Sequence, residues 1–136
     1  MARILYGAPE SEREENNNLV SKLRKKHNVE YLNDFLGFAG GLSRCKNSIL
    51  LPQKYDLVIY DTKVYGENWH PDIRAEHFKF TIGPFFKKIN TPVMVLADLE
   101  VKDKIKEKIE GVSLIYVPQP YSLDEVVQQV NSLLPD

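Results

Sequence analysis

Tyr55-Asp56-Leu57-Val58-Ile59-Tyr60-Asp61 is the stretch that decides the fold. Its apolar run is continuous rather than alternating, which suits a strand buried on both faces, as in a parallel sheet covered by helices. The run ends in a carboxylate. In an open α/β sheet the carboxyl ends of the strands form the binding crevice, so Asp61 is delivered to the ligand side rather than to the core. Strand-end acids also serve as helix N-caps or loop anchors. What raises Asp61 above that role is its neighbours.

Working outward, runs of the same kind recur at Ile4 to Tyr6, Val29 to Leu32, Val93 to Leu96 and Val112 to Val117, with helical stretches between them. Ser11 to His27 has its acids early and its bases late, the polarity a helix dipole favours, with Leu19 and Leu23 on its inner stripe and His27 at its C-terminus. Val101, Ile105 and Ile109 lie four apart among Lys and Glu, a surface helix closed by Gly111. Ser122 is an N-cap with Glu125 at the capping-box position, opening a helix that buries Val126, Val127, Val130, Leu133 and Leu134. Two regions resist the pattern. Residues 34–51 hold Gly37, Gly40 and Gly41 and predict a weak or broken helix. Residues 62–73 read as a long loop, followed by a helix over 73–89 that Gly83-Pro84 interrupts.

At 136 residues the chain fits a single domain, 1–136, long enough to bury a real core. It is 43% hydrophobic and 27% charged with a formal net charge of −1, so it lacks the basic footprint of most nucleic-acid binders, and none is expected as a partner. The single cysteine, Cys45, can make neither an internal disulfide nor a cysteine metal site and reads as a small buried apolar residue. No apolar run approaches a membrane span, and the expected setting is a soluble protein in a reducing cytoplasm. Gly7-Ala8-Pro9-Glu10 lacks the glycines of a dinucleotide fingerprint, and neither a Walker motif nor a nucleophile elbow occurs.

The order of elements and the residues at the strand ends resemble a response-regulator receiver domain over essentially the whole chain. Tyr55 to Asp61 is similar to the family's third strand with its phosphoacceptor aspartate, Thr91-Pro92-Val93-Met94-Val95-Leu96-Ala97-Asp98 to the fourth, and Tyr116-Val117-Pro118-Gln119-Pro120 to the fifth. The resemblance implies a flavodoxin-like (CheY-like) three-layer sandwich, a five-stranded parallel sheet of order 2-1-3-4-5 with helices on both faces. It also implies where the site residues sit: Asp61, Asp98, Ala97, Gln119 and Tyr116. The departures are chemical. Ala8 and Pro9 stand where receivers hold Mg²⁺ with an acidic pair, Ala97 replaces the hydroxyl residue, and Gln119 replaces the lysine. Phosphoryl transfer to a carboxylate needs the metal and positive charge to neutralise the developing phosphoryl oxygens.

The reading is therefore a degenerate receiver, or pseudo-receiver, which is no enzyme and signals by contact with another protein or with itself as a homodimer. No cofactor is expected, and Mg²⁺ only if the phosphoacceptor site is active. Tyr116 falls at the family's aromatic switch position, but without a hydroxyl at Ala97 it reads as a packed tyrosine. The runner-up is an atypical phosphorylatable receiver using Asp61, with Asp98 or Glu10 supplying the metal; Glu10 and Glu12 are the acids that could stand in for the missing pair, although Glu10 starts the first helix and faces solvent. A third reading is a metal- or small-ligand-binding α/β protein built on His70, Asp72, Glu76 and His77, whose spacing matches no metal motif. The aromatic group Trp69, Phe78, Phe80, Phe85 and Phe86 separates these readings. Exposed rings would mark a protein interface, and rings lining a pocket over Asp61 and Asp98 a ligand site.

Overall fold

The computed structural model describes residues 2–34, 37–41, 55–64, 69–89, 91–105, 114–118 and 121–134. The apolar runs become the parallel strands β1 (Ala2–Gly7), β2 (His27–Leu32), β3 (Leu57–Asp61), β4 (Val93–Ala97) and β5 (Leu114–Pro118). Their order is β2-β1-β3-β4-β5, the order expected. All of β3 and β4 is buried, which is what continuous apolar strands at the centre of a covered sheet require. The register places Tyr6 beside Ile59, Ile59 beside Met94, and Asp61 beside Leu96.

Strand alternation divides the core in two. Ile4, Tyr6, Leu57, Ile59, Met94 and Leu96 face α1 (Arg13–Leu23) and the last helix, α6 (Leu123–Leu133). Leu5, Val58, Tyr60, Val93, Val95 and Ala97 face the other helices. These are a helical turn at 37–41 (α2), α3 (Pro71–His77), a π-helical segment (Phe78–Ile82), α4 (Gly83–Ile89) and α5 (Leu99–Ile105). The result is the three-layer sandwich, with Leu19 and Leu23 inside as their spacing predicts. Gly7 ends β1 where the Phe38 ring crosses the strand: a Cβ there would lie 2.6 Å from Phe38 Cδ2, so no other residue fits without moving the ring.

Local chemistry corrects several sequence expectations. The first helix starts after a 3₁₀ turn, Glu10–Glu12, and ends at Leu23. His27 is thus the first residue of β2, not a helix C-terminus; its ring is buried, with Nε2 2.9 Å from Asn131 Oδ1. The helix after β3 starts at Pro71, whose fixed φ suits the first helical position, and His70 caps it by accepting the Asp72 N–H at Nδ1 (3.1 Å). Gly83-Pro84 does not break this run. Pro84 has no N–H and its ring crowds the carbonyl four residues back, and the wider π turn, with Gly83 N–H bonded to Phe78 O, accommodates it. Ser122 caps α6 as expected, its Oγ accepting the Glu125 N–H at 3.1 Å. Val126 and Val130 are buried, with Val127 and Leu134 packed at the edge. Leu133 is 40% exposed, because the stripe continues through Leu134, four residues past Val130, and turns Leu133 outward. Cys45, Ile109, Gly111 and Gln119 lie outside the described residues.

Candidate functional site at the end of the third strand

β3 delivers Asp61 to the carboxyl edge of the sheet on the α1 and α6 side, as Leu57 and Ile59 are. The side chain is fully buried, 0% exposed. Oδ1 accepts the Lys63 N–H at 2.9 Å, an Asx turn that bends the chain out of the strand, and the Val64 N–H bonds to Asp61 O at 3.0 Å. Oδ2 is buried and has no hydrogen-bond partner among the described residues. Burial pushes the carboxyl up to about 7. The Lys63 charge and its N–H pull it back, Glu12 adds to the rise, and Arg74 opposes it.

Lys63 carries the nearest cation. Its Nζ donates to Glu12 Oε1, bringing the end of the 3₁₀ turn against the end of β3. Burial works against the ammonium, but the Asp61 and Glu12 carboxylates outweigh it and its pKa is raised overall. Glu12, Lys63 and Asp61 therefore form one charge cluster. Glu10, the acid expected nearer the metal, is turned away: its oxygens meet Arg13 Nη1 at 3.3 Å and Asn33 Nδ2. The reason is helical geometry, since two residues along the turn point to different sides.

Asp98 lies just past β4 and is taken by Arg74, whose Nη1 and Nη2 donate to its two oxygens at 3.2 and 3.3 Å while Nε donates to Trp69 O at 3.1 Å. Arg74 is buried and Asp98 partly exposed. Of the residues expected in one pocket, Asp61 and Asp98 thus flank Arg74. Ala97 and Tyr116 pack instead in the core of the opposite face with Tyr60 and Phe78. The Tyr116 hydroxyl is buried with no hydrogen-bond partner among the described residues, in keeping with a packed ring.

The end of β1, where receivers carry their acidic pair, is filled by an uncharged network. Ala8 is buried and its N–H bonds to Leu32 O at 3.2 Å. Buried Asn16 accepts from Tyr6 Oη at 3.0 Å and donates to Pro9 O at 2.9 Å and to Tyr31 Oη at 3.1 Å, beneath the stacked rings of Tyr6 and Tyr31. No acid enters from there. Glu12 and Asp61 are two carboxylates that a divalent ion could use, but the Lys63 ammonium already pairs with Glu12 and its charge acts on Asp61, and Mg²⁺ demands near-ideal oxygen geometry with its own waters. The residues present do not fit Mg²⁺.

The loop histidines do not converge. His70 is exposed at its cap position, whereas His77 is buried and pulled down to about 4 by that burial. Asp72 is paired with Lys104. Among the described residues no three His, Cys, Asp or Glu side chains are placed to hold a metal ion. The aromatic group splits by helical phase. Phe78 and Phe86 are core, Phe85 is half-buried, and Trp69 and Phe80 are 45% and 67% exposed, with Ile73 at 44% between them. Phe78 and Phe86 pack in the core layer on the opposite face of the sheet from Asp61.

Lys63 and Arg74 were not legible as site residues. The spacing Asp61 to Lys63 is a recognisable Asx-turn signal, but that the lysine turns back toward Glu12, 51 residues away, is a tertiary fact. Arg74 looks like any cation on a helix until its register sets it beneath Asp98.

Sheet order, helix layers and a carboxylate at the end of β3 define the CheY-like flavodoxin fold of receiver domains. No protein-family model matches the sequence, and no curated protein matches it. Among solved structures the chain is similar to a two-component response regulator from Clostridium difficile, at 12% identity and a TM-score of 0.66 over 98% of this chain and 95% of that one. It is similar to the inactive form of the regulatory domain of the repressor of iron transport regulator, at 21% identity and 0.65 over 98% and 94%. It is also similar to the receiver domain of a sensor histidine kinase from Pseudomonas aeruginosa, at 12% and 0.59 over 97% and 96%; that protein has a magnesium ion coordinated in its active-site cleft. Among the described residues no helix is long and apolar enough to cross a membrane.

Proposed function

We propose that the chain, as a single receiver-like domain over 1–136, is a cytoplasmic signalling module of the pseudo-receiver kind that acts by protein contact and does not accept a phosphoryl group at Asp61. One observation carries this: the Asp61 carboxyl is wholly out of solvent and pushed toward neutrality, whereas a phosphoacceptor must be both reachable and ionised to attack. The surroundings agree. Ala8, Pro9 and Ala97 offer neither metal ligands nor a hydroxyl, and the carboxylates the phosphorylatable alternative would recruit, Asp98 and Glu10, are engaged by Arg74 and by Arg13 with Asn33.

The contact surface that fits is the outer face of α3 and the π segment. Ile73 on α3 and Phe80 on the π segment are exposed, as is Trp69 just before the His70 cap, with Lys79 Nζ 4.6 Å from the Phe80 ring centre. Apolar side chains so grouped on a surface serve protein contacts, either with a signalling partner or with a second copy. An amide NMR titration with Mg²⁺, then with Mg²⁺ and beryllofluoride, tests the reading. Unmoved signals at Asp61, Ala97 and Tyr116 are expected; shifts centred on Asp61 and spreading to the other two would overturn it.

A further inference from the structure

We infer that Lys63 is the resident cation of the strand-end site: its ammonium pairs with Glu12 while its backbone N–H holds Asp61, so that it supplies the positive charge a divalent ion would otherwise bring and keeps the site free of metal. The inference rests on the reading above and goes beyond it by naming what closes the pocket.

Three observations carry it. Lys63 Nζ donates to Glu12 Oε1, and side-chain exposures of 20% and 28% place this pair in the wall of the site rather than on open surface. Asp61 is fully buried, with Oδ1 bound to the Lys63 N–H and Oδ2 without a hydrogen-bond partner among the described residues. The charges that favour its ionised form are Lys63 first and Arg74 second. Arg74 is already committed to Asp98 and to Trp69 O, so Lys63 is the cation that answers Asp61.

The balance of charge explains why one ammonium suffices. A pocket with an additional acidic pair would hold more negative charge than one ammonium can offset and would draw a divalent ion from solution. Here Ala8 and Pro9 remove that pair, and the remaining carboxylates, Glu12 and the partly protonated Asp61, are matched by one fixed positive charge. A second cation entering beside Lys63 would be repelled at short range in a poorly screened site. Geometry adds selectivity. Asp61 Oδ1 is bound to the Lys63 N–H itself, so the turn that orients the carboxylate also sets where the ammonium stem begins.

The test removes the ammonium and asks whether the site then accepts metal, read by amide shifts at residues 61–64. The unaltered chain should be blind to Mg²⁺. Lys63→Ala leaves Glu12 and Asp61 without the offsetting ammonium and should bind Mg²⁺ at least roughly tenfold more tightly, with a dissociation constant on the order of 1 mM. Lys63→Arg keeps the charge and should stay blind, and Glu12→Gln added to Lys63→Ala should abolish the gain. A folded Lys63→Ala chain that ignores Mg²⁺ overturns the resident-cation inference and leaves the contact-module reading standing. An unaltered chain that responds to both Mg²⁺ and beryllofluoride overturns the two together. A measurement without any variant guards against misfolding: the Lys63 ammonium resonance should be protected from solvent exchange and unmoved by Mg²⁺, and a freely exchanging signal would count against the proposal.

Discussion

Asp61 and Asp98 end neighbouring strands of one sheet, carry the same carboxyl group, and are treated in opposite ways. Asp98 sits partly in water with a guanidinium holding both oxygens, so its charge is matched by geometry made for it. Asp61 is wholly enclosed, receives one backbone N–H on one oxygen, and is pushed up to about 7 because burial outweighs the nearby Lys63 charge. The difference teaches that a strand-end carboxylate is defined by access and partners rather than by position. Asp98 ties the end of β4 to α3, and Asp61 is an enclosed carboxyl held by one backbone N–H.

Breaking Asp61 should give the largest effect. Its folded pKa of about 7 stands above the ordinary 3.8, so the folded chain holds its proton where the unfolded chain has released it. The stability this contributes is full below pH ~4 and is lost as pH rises toward ~7, by on the order of 4 kcal/mol. Asp61→Asn removes the titration. Urea unfolding across that window should be steeper in pH for the parent than for the variant, which should be the more stable above neutrality; equal slopes would mean that Asp61 ionises freely. Arg74→Met strikes the other aspartate through its buried partner and should cost about 2 kcal/mol, because charged hydrogen bonds are lost while the apolar stem is kept. The same denaturation measurement checks this, and a cost close to zero would show that the tie is dispensable. Asp98→Asn should be mildest, about 1 kcal/mol or less and shrinking with added salt, since this aspartate is partly hydrated already. A salt-independent cost as large as that of Arg74→Met would erase the contrast between the two strand ends.

The architecture was legible because it rests on local signals. Leu57 to Tyr60 and Val93 to Leu96 are apolar at every position, a pattern that in runs this short suits strands covered on both faces. Ser122 with Glu125 marks a helix start through one side-chain bond between residues three apart. The signal failed where two local rules competed. His27, four residues past the last helical leucine, follows the pull of the β1 edge, pairing with Ala2 rather than extending α1. Gly83-Pro84 predicts a break, and the helix widens into a π turn because Phe78, Ile82 and Phe86 gain more by staying on one buried face than the chain loses in regular bonding. The departures at Ala8, Pro9 and Ala97 could be read directly, since each is an identity at a strand end.

By itself, then, the sequence determined the strand order to expect, the two-faced burial of β3 and β4, the carboxylate at the end of β3, and the replacement of an acidic pair by Ala8 and Pro9 after β1. Only the tertiary structure decided which charges meet it. Glu12 and Lys63 are 51 residues apart, and Arg74 and Asp98 are 24 apart. Long flexible side chains carry no periodic signature, and a charge declares its partner only when the packed sheet and helices bring the two together and exclude the water that would otherwise solvate each alone.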